Sequence, residues 1–260
     1  EKNTKVFIAM RYWHPMTLET AISVQKFDPD EVILLPLYPQ YSGTTTGSSL
    51  NEWNFSANKI KLNKPTKTIC CYPIDDAVVQ SQSDLLVKEI AKTRREIRVL
   101  FSAHGLPKKI IEKGDPYQLQ VEKTAEAIAK KTKLDNDSWN ICYQSRVGPL
   151  EWIGPSLDDQ LKRASIDKIG VIVLPIAFVS EHSETLVELD IEYRKLAEDL
   201  NVPYYGRVPA IGTHPNFIDG LKDLIDKAIV SESSVISGRG NPICLKDQKC
   251  YLRQETVKNV

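Results

Sequence analysis

This sequence carries no excess charge of either sign: 34 basic residues balance 34 acidic ones among 260. That balance gives no general attraction to nucleic acid or to an anionic bilayer. No apolar run comes near the roughly 20 residues that span a bilayer. The longest, residues 169–179, is strand-sized and contains Pro175. Cysteine is sparse, five in all, an odd number in a chain too large for a disulfide-stapled miniprotein. Cys244 and Cys250 stand six residues apart, without the CxxC spacing of a zinc or iron–sulfur knuckle. Cys70, Cys71 and Cys142 sit in apolar contexts and read as buried, reduced thiols, so a reducing compartment is expected. Histidine is scarce too, with four residues and no HxH or HExxH pair, which leaves a closed tetrahedral zinc site without support. The opening EKNTKVFIAM has no initiator methionine and no visible signal peptide. An upstream part is expected to be missing, so targeting is not legible from this end.

What is present is a chain 42% hydrophobic, enough to bury a substantial core. Strand-like runs cover residues 6–10, 31–38, 67–74, 97–103, 140–145 and 169–178. Helical patterns cover 17–26, 81–94, 116–133, 156–165, 183–200 and 215–230. This alternation predicts an α/β fold of βαβ units, with parallel sheets flanked by helices. The charged AKTRRE run places a lobe boundary near residues 90–96. The divisions expected are 1–93, 94–214, and a third segment, 215–260, whose helix packs back on the first lobe.

The chemistry gathers just after the strands, where ligand groups cluster in open α/β sheets. The apolar run GVIVLPIAFVS leads into EHSETLVELDIE, which places Glu181, His182 and Glu184 at a strand's carboxyl end. As an α-helix, that segment aligns Glu184, Glu188 and Glu192 on one face. Like charges at this spacing repel by a few tenths of a kcal/mol per pair, so the row either handles cations or protons or is an exposed acidic face. FSAHGLP puts His104 in a turn after another strand, fit to accept a proton or ligate a metal; a loop-capping histidine is the alternative. RYWHP offers Arg11 to a carboxylate or phosphate, and Tyr12 and Trp13 to a flat ligand or to the core. YPQYSGTTTGSSL (38–50) resembles an anion-binding loop but lacks the GxxxxGK[ST] order of a nucleotide loop; an ordinary flexible loop with a helix cap at its end is the alternative. CYQSRVGPLEWIGPS supplies Gln144, Ser145, Arg146 and the flat Trp152. Four such loops imply one cleft between lobes, suited to an aromatic, acid-decorated ligand.

Together, RYWHP, YPQYS-TTGSS, FSAHGLP, GDPY (114–117), YQSRVGP-EW-GP and PIAFVSEHSETLVELDIEY resemble the ferrochelatase family, in order from Met10 to Asp223. The resemblance implies two Rossmann-like lobes, each with a four-stranded parallel sheet, around a porphyrin cleft, here without the start of the first lobe. It implies insertion of Fe²⁺ into protoporphyrin IX with release of two protons and no nucleotide. His104 matches the cleft histidine and Glu184 the acid facing it across the macrocycle, the two being the expected metal contacts. Glu188 and Glu192 lie behind Glu184, with Glu181 beside the same proton or metal path. Arg11 and Ser145 match residues associated with the porphyrin propionates and pocket wall, and Tyr12, Tyr38 and Trp152 match cleft or near-cleft positions.

Some members of that family hold a [2Fe–2S] cluster through one cysteine in the YPQYS loop and three in the carboxyl-terminal tail. Here Gly43 stands in the loop position, Ser237 to Gly240 stands where two tail ligands belong, and only Cys244 matches. Because thiolates hold such clusters, none is expected, and Cys250 is expected to lie out of place to repair the set. No cofactor is therefore expected, iron being a substrate. The tail and the RYWHP form place the chain nearer the proteobacterial and mitochondrial branch. The expected location is cytoplasmic; peripheral attachment to the inner membrane, a mitochondrial matrix location in a eukaryote, and a homodimer stay open. So do a coproporphyrin or cobalt chelatase, a porphyrin- or haem-binding module without turnover, and a two-lobed periplasmic-type binding protein.

Overall fold

The structure is a computed structural model that describes residues 4–238, 243–245 and 247–251. Arg239, Gly240 and the tail past Tyr251, on which part of the expected cluster argument and of the third segment rests, lie outside the described residues. In chain order the elements are α1 (Thr17–Phe27), β1 (Val32–Leu34), α2 (Ser48–Lys59), β2 (Thr66–Ile69), α3 (Asp76–Ile90), β3 (Ile97–His104), α4 (Lys108–Glu112), α5 (Tyr117–Thr132), β4 (Trp139–Gln144), α6 (Leu157–Asp167), β5 (Gly170–Pro175), α7 (Tyr193–Asp199), β6 (Tyr205–Arg207), α8 (Pro215–Val230) and β7 (Val235–Ile236). Two segments wind more widely as π-helix, Gly43–Gly47 and Glu184–Glu192.

Every strand pair in both sheets is parallel. One sheet runs β4-β3-β5-β6 and the other β1-β2-β7. In the four-stranded sheet alternate side chains serve opposite faces. Val99, Phe101, Ala103, Ile172 and Leu174 point into a core with Val121, Ala125 and Ile128 of α5. Leu100, Cys142, Val171 and Val173 point the other way, against Leu157, Leu161 and Ala164 of α6. With both faces covered, β5 is buried along its whole length, which is why its sequence is an unbroken apolar run rather than an alternation. The α6 start is fixed by a reciprocal cap, Ser156 Oγ accepting from Asp159 N and the Asp159 carboxylate accepting from Ser156 N.

In the three-stranded sheet, α8 lays Phe217, Leu224 and Ala228 on Ile69 and Val78, and β7 then joins β2 through Thr68↔Val235 and Ile69↔Ile236. The chain after α8 thus returns to the first sheet.

Several expectations need correction. Residues 6–10 are not a strand: the Ile8 and Met10 carbonyls accept from Thr20 and Thr17 of α1, and among the described residues no strand pairs with them, so the first sheet has three strands rather than four. The runs at 31–38 and 67–74 shorten to three and four residues, because Pro36, Pro39 and Pro73 have no N–H to give a ladder. The loop at 38–50 gives way at Ser48 to α2, whose Leu50, Trp53 and Ser56 form a buried stripe overlooked in the sequence. The helix at 183–200 is π-wound over its first nine residues, so Glu184, Glu188 and Glu192 do not stack as on an α-helix. Cys250 is not apart from the other thiols: its sulfur lies 3.4 Å from that of Cys70, within one buried cluster that also holds Cys71 and Cys244. Among the described residues no helix is long and apolar enough to cross a membrane.

The α3–α8 contact depends on Gly220, where an added Cβ would lie 2.2 Å from the Cβ of Ala77. A glycine inside a helix costs about 1 kcal/mol relative to alanine, and close approach of the two axes is what it gains. Gly220→Val should therefore destabilise the fold by about 1–3 kcal/mol through overpacking, measured as a lower urea midpoint with an unchanged slope.

Candidate active site

The site forms at the carboxyl edge of the four-stranded sheet. β3 ends in His104 and β4 in Gln144, which face each other as the last rung of their ladder. The chain leaving β5 reaches Ser183 and enters the π-wound segment at Glu184. Three strand ends thus deliver an imidazole, an amide and a row of carboxylates to one place.

His104 Nδ1 lies 2.7 Å from the carbonyl oxygen of Gly105. A carbonyl can only accept, so Nδ1 carries a proton in either charge state, and Nε2 is the nitrogen that gains or loses the other one. Nε2 lies 3.6 Å from Glu184 Oε1. The neighbouring carboxylate raises the imidazole pKa above its ordinary 6.5, against an opposing effect of burial. In return His104 lowers the pKa of Glu184, again against burial. The imidazolium form is thus favoured, and both groups keep partial contact with solvent. The stability this pair adds through His104 is full below the ordinary imidazole pKa and fades as pH rises through the raised one; through Glu184 it is lost as pH falls through the lowered carboxylate pKa.

Gly105 makes the turn possible. Its N–H donates to the Gln144 carbonyl at 2.8 Å, and a Cβ there would meet Arg146 Cγ, the Gln144 carbonyl and Trp152 Cε3 at 3.1 to 3.3 Å. Trp152 sits against this turn, its backbone bridged to Pro107.

Behind Glu184, the fully buried Gln144 spans sheet and helix. Its Oε1 accepts from Ser102 at 2.8 Å, and its Nε2 donates to the Glu184 carbonyl at 2.9 Å and to Glu188 Oε2 at 3.1 Å. Glu188 also accepts from Ser145 N at 2.7 Å and Ser145 Oγ at 2.6 Å. Ser145 is held at φ 59°, a left-handed conformation uncommon outside glycine, and these two bonds fix it there. Glu188 is therefore a clamped acceptor rather than a free member of a file. Glu192 is exposed, and among the described residues its side chain makes no hydrogen bond or ion pair. Glu181 accepts from Arg207, Ala210 N and Thr185 Oγ. Burial raises its pKa, but those donors outweigh it and hold the carboxyl below the ordinary range.

Arg11, Tyr12 and Tyr38 form a second group. The Arg11 guanidinium lies over the Tyr12 ring at 4.6 Å and donates to Ser48 Oγ at 3.0 Å, at the start of α2. Burial, then the nearby Tyr12, raise the pKa of the Tyr38 phenol. Tyr12 and Trp13 are mostly exposed, open to a flat ligand and not part of the core. Among the described residues no hydrogen bond or ion pair joins Arg11, Tyr12 or Tyr38 to His104 or Glu184. The residues that hold the site together, Gln144, Ser102 and Arg207, were not singled out for that role in the sequence. Their only signal was position at or near strand ends.

Solved structures bear on the fold. SirB from Bacillus subtilis with Fe³⁺ matches at TM-score 0.60 and 15% identity, covering 84% of this chain and 79% of that one. SirB from Bacillus subtilis subspecies spizizenii, a sirohydrochlorin chelatase in complex with cobalt, matches at TM-score 0.57 and 16% identity, covering 83% and 76%. The fold is that of a chelatase. The ferrochelatase family model matches residues 1–229. The ferrochelatase of Caulobacter vibrioides is 49% identical over 253 residues, 96% of this chain and 72% of that protein. That of Pelagibacter ubique is 48% identical over 223 residues, 86% of this chain and 64% of that protein. This chain belongs to the ferrochelatase family, enzymes that insert iron into porphyrin for haem synthesis.

If Glu184 sets the protonation of His104, the imidazole should titrate above 6.5 by NMR, and Glu184→Gln should shift that titration to lower pH. An unchanged titration in the variant would show that the pair is not coupled.

Proposed function

We propose that this chain inserts Fe²⁺ into protoporphyrin IX, with His104 taking protons from the macrocycle and Glu184 stabilising the resulting imidazolium. The observation that carries this reading is the fixed tautomer of His104, with Nδ1 held on the Gly105 carbonyl and Nε2 directed toward Glu184. Metalation removes two pyrrole N–H protons, so the site must accept a proton and pass it on twice in each turnover. A neutral imidazole Nε2 does the first, and the partly exposed His104–Glu184 pair does the second. Nε2 and the Glu184 carboxylate are also close enough for one divalent ion to touch both, so the same pair is suited to receiving the metal.

The clamp from Gln144 and Ser145 onto Glu188 keeps the π-wound segment in place and leaves Glu184 as the acid at the cleft. Iron is a substrate here, and the insertion step calls on no resident cofactor. Gly43 in the loop position favours the absence of a [2Fe–2S] cluster bound in the family's usual way. Arg11, stacked on Tyr12, is suited to pairing with a porphyrin propionate. The two sheets support a lobe division near residue 93, with the chain after α8 belonging to the first lobe.

Fluorimetric assay of protoporphyrin IX with Fe²⁺ under anaerobic conditions tests these roles. His104→Ala should abolish insertion with the fold intact. Glu184→Gln should lose about 10²-fold or more in kcat, the range of a positioned acid–base group, and Glu192→Gln should stay near wild type. Comparable losses in the two glutamate variants would refute a special role for Glu184. Activity of the unaltered protein should fall as pH drops, with a midpoint above 6.5, because Glu184 raises the pKa of the base that must be neutral.

Arg11→Leu should act mainly on KM, by roughly 10-fold or more, the loss of a charge-assisted bond worth about 1.5–3 kcal/mol. A fall in kcat at saturating porphyrin would place Arg11 in the chemical step instead.

A further inference from the structure

A porphyrin is a rigid disc, so its rim stands at a fixed span from its central nitrogens. A protein that grips both must hold Arg11 at a set distance from the His104–Glu184 pair, and no direct bond among the described residues does so. The connection runs instead through Asp115 of the GDPY turn, between α4 and α5.

Asp115 is buried, and among the described residues no cation pairs with it. Its Oδ1 accepts from Tyr117 N at 3.0 Å, a local bond at the start of α5. Its Oδ2 serves a distant part of the chain, accepting from Gly43 N at 2.8 Å and Ser42 Oγ at 3.0 Å. A carboxylate accepts at both oxygens and so meets three converging donors. Burial raises the Asp115 pKa despite these donors. An exposed residue could start the helix without that cost, so the helix alone does not account for a buried acid here.

Ser42 and Gly43 open the π-wound turn. Ser42 Oγ accepts from Thr44 N at 3.1 Å and the Ser42 carbonyl from Gly47 N at 3.0 Å, and the turn runs straight into α2. The first residues of α2 hold Arg11: Ser48 Oγ accepts from Arg11 Nε at 3.0 Å, and Glu52 lies 3.8 Å from Arg11 Nη1. On the other side of Asp115, the His104 backbone hydrogen-bonds the Tyr117 phenol. Asp115 therefore stands midway in a chain of bonds from Arg11 to the His104 turn. Two side chains of α5 grip the same loop, Gln120 Oε1 accepting from Tyr41 N at 2.7 Å and Thr124 Oγ1 from Gln40 Nε2 at 3.0 Å.

We propose that Asp115 is a positioning residue for the porphyrin, holding Arg11, through this loop and α2, at the span from His104 that the macrocycle requires; this rests on Arg11 pairing with a propionate. Asp115 acts on porphyrin binding and not on the insertion step.

The test is a double-mutant cycle between Asp115→Asn and Arg11→Leu in the whole protein. Affinity is read from quenching of tryptophan fluorescence by protoporphyrin IX without iron, and kcat and KM from Fe²⁺ insertion. Asparagine keeps the shape of Asp115 but turns an N–H group toward one set of donors. It should weaken porphyrin binding and raise KM by up to roughly 10-fold, the loss expected for the Arg11 contact itself. Turnover at saturating porphyrin should stay within about twofold of the unaltered protein. In the Arg11→Leu background the same substitution should change affinity by less than about twofold, because a residue that acts through Arg11 has nothing left to position. Ser42→Ala removes one of the two loop bonds to Asp115 and should give the same pattern more weakly, which keeps the test decisive if Asp115→Asn does not fold. Penalties that multiply in the double variants, or a fall in kcat with KM unchanged, would overturn the positioning role. So would unchanged binding in both Asp115→Asn and Ser42→Ala. If Arg11→Leu by itself leaves porphyrin binding unchanged, the propionate pairing fails, and the positioning role with it.

Discussion

The candidate site depends on one buried amide. Gln144 stands at the last rung of β4 and ties the sheet to the segment that carries the acids. A buried side-chain amide is costly unless its hydrogen-bonding groups are met. Here Ser102 meets the oxygen, while the Glu184 carbonyl and the Glu188 carboxylate meet the nitrogen. That satisfied network holds Glu184 at 3.6 Å from His104, and through Ser145 it stabilises a left-handed backbone turn. Without the amide, the π-wound segment would keep only the Ser145 bonds to Glu188 as its tie to the end of β4.

The π-winding follows from the same geometry. A wider turn satisfies its backbone by i→i+5 bonds and tends to occur at functional positions. It directs Glu188 inward to the Gln144 and Ser145 donors and leaves Glu192 in solvent. Equally spaced acids thus acquire different duties: one faces an imidazole, one is a structural acceptor and one is solvated. Glu181, four residues from Thr185, goes to Arg207 and Ala210 N, bracing the loop between β5 and the π-wound turn. The three glutamates therefore do not form one continuous acidic face, and among them Glu184 is the one that pairs with His104.

Much of the fold was legible in the chain itself. The runs IRVLFSAH and GVIVLP are strands because their apolar content is sufficient for burial on both faces, and the helices between them carry stripes that match those faces. His104 and Glu184 stood out because one closes such a strand and the other lies in the segment that follows one, and because the surrounding segments resemble ferrochelatases. Short or interrupted elements were less legible. Prolines truncate β1 and β2, and β6 and β7 are only two or three residues long, too short for any period to appear.

What the sequence alone determined was the α/β class, the family and the types of group available for chemistry, since these depend on local pattern and residue identity. Tertiary structure decided which groups meet. Four-residue spacing could not reveal that Glu188 is clamped, because the winding of its helix is set by partners 43 and 44 residues away in the chain. Nor could six-residue spacing between Cys244 and Cys250 reveal a common thiol cluster, since it forms only when the segment after β7 returns to a strand end 180 residues earlier. Chain separation carries no information about such contacts. Burial and parallel pairing bring them together.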